Sequence, residues 1–173
     1  MLNNKILITI VTPFYNAKSL LKAHIYNIQS LIKHPSVEII YVDDGSDDNG
    51  FKYLKEKTDN LHNIKILRFN KNNGPGIARN IGIKKAKGNF ILFLDIDDRL
   101  FLTGFNKLLQ HIKKNLNCDL FFFDYVKKSK KAQINLSKKK FNKNKLIKLF
   151  LRTELDMCPN FYLYKKQFLL KNK

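Results

Sequence analysis

Phe90-Ile91-Leu92-Phe93-Leu94-Asp95-Ile96-Asp97-Asp98 decides the fold of this chain. Five apolar residues in a row leave no polar face, so a strand made from them must be covered on both sides. A helix is predicted before it at Ile77–Lys87, stopped by Gly88, and another after it near Phe105–Lys114. A doubly covered strand between helices belongs at the centre of a mostly parallel sheet. Its carboxylates then fall just beyond the strand's carboxyl end, where open α/β sheets bind their ligands.

The same unit recurs upstream. Lys5–Val11 is a β-branched run stopped at Thr12-Pro13. Ser19–Lys33 carries Leu20, Leu21, His24, Ile25, Ile28, Leu31 and Ile32 on one helical face, and His34-Pro35 ends it. Val37–Val42 is a second strand, followed by Asp43-Asp44-Gly45-Ser46 and a short helix over Phe51–Lys57. Ile64–Phe69 is a third strand, and Asn72-Asn73-Gly74-Pro75-Gly76 turns the chain into the next helix. Four such units predict an α/β fold with helices on both faces of the sheet. A further strand is expected near Asp119–Val126. Beyond it the pattern fades into lysine-rich sequence, with a helix at Phe141–Arg152, a short strand within Pro159–Tyr164 and the start of a helix at Gln167–Leu170. Residues 1–126 therefore form the main body, and residues 127–173 a basic loop and a closing segment of the same domain.

The 173 residues include 33 Lys and Arg against 14 Asp and Glu, a net charge of +19. The excess is uneven: residues 1–126 hold 18 basic and 12 acidic side chains, residues 127–173 hold 15 and 2. Asparagine, isoleucine and phenylalanine are abundant alongside lysine, the bias of an AT-rich genome, which discounts the charge as a functional signal. No apolar run is long enough to span a bilayer, and the amino terminus lacks the features of a signal peptide. Cys118 and Cys158 are too few for a disulfide framework and have no zinc-ligand spacing. They are expected to be buried free thiols in a reducing cytoplasm.

Four clusters carry chemistry, each at a predicted strand end or helix start. Asp95 and Asp97, one residue apart, can face one hard cation. Mg²⁺ or Mn²⁺ takes one or two protein carboxylates and fills its shell with phosphate oxygens and water. A carboxylate within Asp43-Asp44-Gly45-Ser46 can accept the imide N–H of a uracil or bind a ribose hydroxyl. Thr12-Pro13-Phe14-Tyr15-Asn16 offers backbone and the Tyr15 ring to cradle a base. Gly74 and Gly76 let backbone approach a ligand, and Arg79, in the first turn of its helix, can pair with a carboxylate or phosphate.

In order and spacing these clusters resemble glycosyltransferase family 2, the inverting enzymes of GT-A fold. The motifs that carry the resemblance are Pro13-Phe14-Tyr15-Asn16, Val42-Asp43-Asp44-Gly45-Ser46, Ala78-Arg79-Asn80 and Phe93-Leu94-Asp95-Ile96-Asp97-Asp98. The resemblance covers residues 5 to about 126, fades through Leu170, and implies a GT-A sheet incomplete at the carboxyl terminus. It implies a nucleotide-sugar donor, a UDP-sugar above others, with Pro13, Tyr15, Asn16, Asp43, Asp44, Gly76, Arg79, Asp95 and Asp98 around it and Asp44 at the base. It implies Mn²⁺ or Mg²⁺ on Asp97, with Asp95 facing ribose or metal. The acceptor would be a glycan or glycolipid of a bacterial surface polysaccharide or lipooligosaccharide.

The family's base is a carboxylate downstream of the Asp-x-Asp, often in a Glu-Asp pair, and no such pair follows Asp98. Glu154 and Asp156 are the only acidic residues past Asp124. The chain is therefore expected to stop before the base, to bind donor, and to transfer sugar poorly. The lysine clusters between 127 and 148 would suit contact with anionic lipid at the inner face of the cytoplasmic membrane. Three rivals remain in play. A nucleotidyltransferase would share the nucleotide-binding architecture. A phosphatase of the haloacid dehalogenase type would want its Asp-x-Asp on the first core strand and Gly-Thr after it, where this chain has Arg99-Leu100. A basic nucleic-acid-binding module would explain the charge but not four acidic or polar turns at one sheet edge, so no nucleic acid is expected.

Overall fold

A computed structural model describes residues 6–122 and 162–171. The elements run β1 (Ile8–Phe14), α1 (Lys18–Ile32), β2 (Val37–Asp43), α2 (Gly50–Thr58), β3 (Ile64–Arg68), α3 (Pro75–Lys85), β4 (Phe90–Phe93), α4 (Leu102–Lys114), β5 (Leu120–Phe122), β6 (Tyr162–Lys165) and α5 (Lys166–Lys171). They build one six-stranded sheet in the order β3-β2-β1-β4-β6-β5. β1, β2, β3 and β4 are mutually parallel; β6 lies antiparallel between β4 and β5.

Strand alternation sorts the core into two layers. Ile8, Ile10 and Phe14 of β1 join Leu21, Ile28 and Leu31 of α1, Leu54 of α2 and Phe105, Leu108 and Ile112 of α4 on one face. Val11 of β1, Ile40 and Val42 of β2 and Ile91 and Phe93 of β4 meet Ala78 and Ile83 of α3 on the other. Every residue of β1, β2 and β4 is buried, whereas β3 at the sheet margin is mostly half-buried. Helices on both faces of a mostly parallel sheet are thus observed, as the apolar run of β4 requires.

Three details differ from expectation. Leu20, placed by its spacing on the apolar face of α1, is 41% exposed, because the packed stripe runs through Leu21, His24, Ile28, Leu31 and Ile32. Cys118 is a free thiol but only half-buried, since it lies in the loop between α4 and β5. α4 begins at Leu102, three residues early, without a side-chain cap to mark the start. The expected helix at 141–152, Cys158, Glu154, Asp156 and the lysine clusters of 127–148 all lie outside the described residues.

A buried polar clamp fixes α3 to the sheet. Glu38, 5% exposed, accepts hydrogen bonds from Thr9 Oγ1 at 2.7 Å and from the Lys87 amide at 2.8 Å. Thr9 Oγ1 in turn accepts from the Gly88 amide at 2.9 Å. Glu38→Ala strands a buried hydroxyl and a half-buried amide. It is expected to cost about 2 kcal/mol, read as a lower urea midpoint with unchanged slope.

Candidate functional site

β1 has β2 on one side and β4 on the other, and the chain order reverses between them. That is a topological switch point, and parallel sheets open a crevice at the carboxyl ends there. The turns after β1, β2 and β4 all emerge at this edge.

The first two turns are laced together. Asn16, at φ 47°, donates its amide to Ser46 Oγ at 2.9 Å and accepts the Asp47 amide on Oδ1 at 2.8 Å. The Lys18 amide donates to Asp48 Oδ2 at 2.7 Å. Pro13 is buried, and Tyr15 keeps its ring 45% exposed at the rim. Asn16 thereby holds the turn, while Tyr15 is left open to a ligand.

The two adjacent aspartates have different work. Asp43 is fully buried. Its carboxylate accepts the Ser46 amide at 2.9 Å and pairs with Arg68 Nε at 3.2 Å. Arg68 also donates from Nη2 to the Ser46 carbonyl at 2.9 Å and lies over the Phe51 ring at 5.0 Å. In this structure Asp43 supports the turn from inside, and Asp44 beside it is also buried, at 3% exposed. Asp44 accepts the Asn73 amide on Oδ1 and the Gly74 amide on Oδ2, each at 2.8 Å. Gly74 has φ 90°, which glycine tolerates without a Cβ penalty, and Pro75 opens α3 directly after it. A Cβ on Gly74 or Gly76 would meet nothing within 4 Å, so both face open space.

Arg79 on α3 reaches the third turn. Its Nη2 lies 2.7 Å from Asp95 Oδ1, and its guanidinium stacks near the Phe93 ring at 5.9 Å. Asp95 is partly exposed and Asp97 exposed, and the Asp98 amide closes the turn onto the Asp95 carbonyl at 3.0 Å. One helix start thus ties the Asp44 turn to the Asp95 turn. No group of three or more metal-ligating side chains exists among the described residues. Two carboxylates one residue apart, one of them exposed, suit a cation that takes its other ligands from phosphate and water.

Two residues were missed by sequence reasoning. Arg68 stands in register beside Asp43 across β2 and β3, so a basic residue ending β3 was the available signal. His24 reads as one more position on the packed face of α1. Burial lowers its pKa from 6.5 to about 4, while the Ile96 backbone and the Asp97 charge pull it back upward. The folded protein therefore holds the ring neutral. Below about pH 6.5 the unfolded chain takes up a proton that the folded one refuses. His24 is thus expected to remove up to roughly 3 kcal/mol of stability between pH 6.5 and 4. His24→Phe should lose less over the same descent in acid-titrated urea melts.

A shallow hollow lined by His34, Pro35, Asn60 and His62 lies at the opposite edge and carries no acidic group. No helix among the described residues is long and apolar enough to cross a membrane.

A mostly parallel sheet with laced acidic turns at its switch point defines the GT-A class of nucleotide-binding α/β proteins. Among solved structures, Staphylococcus aureus TarS 1-349 in complex with UDP-GlcNAc superposes with a TM-score of 0.73 at 23% identity, over 96% of this chain and 47% of that one. An uncharacterised Haemophilus influenzae glycosyltransferase is 35% identical over 112 residues, 65% of this chain and 44% of the relative. A putative teichuronic acid biosynthesis glycosyltransferase, TuaG of Bacillus subtilis, is 30% identical over 125 residues, 72% of this chain and 49% of the relative. The profile of glycosyl transferase family 2 matches residues 9–171, and the chain belongs to that family. It spans about half the length of these curated relatives.

Proposed function

We propose that this chain is the donor-binding part of a glycosyltransferase that takes a sugar from a nucleoside diphosphate, UDP the leading candidate, and passes it with inversion to a glycan or lipid-linked acceptor of a bacterial surface polysaccharide. The observation that carries the reading is α3. The loop entering it holds Asp44 through the Asn73 and Gly74 amides, and its second turn holds Asp95 through Arg79. A base-side carboxylate and a cation-side carboxylate are thereby fixed on one short helix start. The TuaG relative and the UDP-GlcNAc complex of TarS support the polymer class and the nucleotide.

In this reading Tyr15 flanks the base, and Asp44 orients the base or ribose while bracing Gly74. Gly74 and Gly76 leave room for the diphosphate. Asp97, with Asp95 beside it, would hold Mn²⁺ or Mg²⁺, which neutralises charge on the departing diphosphate. Arg79 holds the Asp95 carboxylate in place, and Asp98 orients the sugar. A base on the acceptor side removes the attacking hydroxyl's proton. Glu154 and Asp156 are the candidates this chain contains. Lysines of 127–148 would bring the protein to anionic lipid on the cytoplasmic side.

Calorimetric titration with UDP, GDP, CDP and dTDP, each with Mn²⁺ and with chelator, tests the reading. Selective UDP binding that chelator abolishes is expected. Absence of any nucleotide binding would end it.

A further inference from the structure

Arg68 closes β3 at the margin of the sheet, in register opposite Asp43 at the end of β2. Its side chain is 46% exposed, so packing does little to hold it. Ile64 and Ile66 pack against one core and Leu67 against the other, and neither contact calls for an arginine beside it. What Arg68 touches instead is the turn after β2. Its Nε stands 3.2 Å from Asp43 Oδ2, and its Nη2 donates to the Ser46 carbonyl at 2.9 Å. Both nitrogens lie on one edge of the planar guanidinium. The guanidinium carbon lies 5.0 Å from the centroid of the half-buried Phe51 ring of α2. The other contacts of the turn converge on the same residues. Ser46 gives its amide to Asp43 Oδ1 and accepts the Asn16 amide on Oγ, each at 2.9 Å. Asp44 gives its amide to the Phe14 carbonyl at 2.9 Å. Asp43 is fully buried, and Arg68 is its only ion partner among the described residues.

We propose that Arg68 is a positioning residue that sets nucleobase selectivity: it spans both ends of the Asp43–Ser46 turn and so holds Asp44, which lies between them, at the angle a uracil must meet. The inference rests on the nucleotide-sugar reading given above. A carboxylate accepts the N3–H of uracil and repels the N3 lone pair of cytosine, so a firmly held Asp44 separates UDP from CDP. A turn free to tilt loses that distinction, while the cation and diphosphate contacts of the Asp95–Asp97 turn stay as they are. Lysine cannot replace the fork. Its ammonium ends near the place of the guanidinium carbon and closes on one acceptor at a time.

The test compares Arg68→Lys, which keeps the charge beside Asp43, with Arg68→Leu, which keeps neither charge nor donor, in the full 173-residue chain. Two quantities are read: the ratio of UDP affinity to CDP affinity, each with Mn²⁺, and amide hydrogen exchange at residues 44–47 without ligand. Arg68→Leu is expected to lose about tenfold or more of the ratio, the usual worth of a hydrogen bond from a charged group, and to exchange faster at 44–47. Arg68→Lys is expected to melt close to the unsubstituted chain and still to lose about threefold or more of the ratio. An unchanged ratio in folded Arg68→Leu, with UDP and CDP affinity falling together or not at all, would overturn the proposal. So would an unsubstituted chain that binds both nucleotides alike. Should Arg68→Leu fail to fold, Arg68→Lys is judged alone by the same ratio. If the unsubstituted chain binds neither nucleotide, the donor reading itself has failed. Unchanged exchange at 44–47 in Arg68→Leu would then dispose of the brace as well.

Discussion

Asp97→Ala is expected to weaken UDP binding in the presence of Mn²⁺ about 100-fold, or near 2.7 kcal/mol, and to leave binding in chelator unchanged. The side chain is exposed and stands at the tip of a turn, so its loss should move the melting temperature by no more than about 2 °C. Asp95→Ala makes the informative contrast. It removes the carboxylate 2.7 Å from Arg79 and leaves a guanidinium that is only 19% exposed without its anion. That variant should lose both nucleotide affinity and stability, because a stranded partly buried charge is costly. The separation of the two phenotypes is what the geometry predicts. Isothermal calorimetry and thermal melts on the same preparations would show it. Wild-type affinity in Asp97→Ala would remove the cation from the proposed chemistry.

Gly45→Ala is expected to destabilise the fold by about 3 kcal/mol or more. Gly45 has φ 80°, and a Cβ there would lie 2.6 Å from the Lys71 carbonyl carbon and 2.9 Å from the Asn72 nitrogen. Both obstacles are backbone, so no rotamer change relieves them. The strain also displaces the Lys71–Gly74 loop from Asp44, whose carboxylate holds Asn73 and Gly74. Nucleotide affinity should therefore fall in the fraction that remains folded. Urea unfolding and UDP titration below the transition would read the two effects separately. A change under about 1 kcal/mol would mean that the loop yields freely.

Much of this arrangement was legible in residue pattern. The unbroken apolar run of Phe90–Leu94 required cover on both faces, and the acidic turns at strand ends come together at one sheet edge, as their positions implied. What was not legible depended on tertiary placement. Asp43 and Asp44 look alike in sequence. One turns into the protein beside Arg68 and the other accepts two amides from a loop about 30 residues away. His24 obeys the helical period of its apolar neighbours, so its spacing reveals burial but nothing about the Tyr41 ring it meets across the core. The short strand within Pro159–Tyr164 was expected, and β6 at Tyr162–Lys165 answers to it. Its position between β4 and β5 was not readable, because pairing over that separation leaves no local mark.

That insertion of β6 bears on any shortened form of the protein. Phe90, Ile91 and Leu92 pair with Lys165, Tyr164 and Leu163 on the flank that β1 leaves open. A version ending after Phe122 would bare one whole side of a fully hydrophobic ribbon, with its amides and carbonyls unmatched. Such a margin recruits other chains. Trimmed preparations are thus expected to self-associate, and the smallest well-behaved piece must retain Tyr162–Lys171.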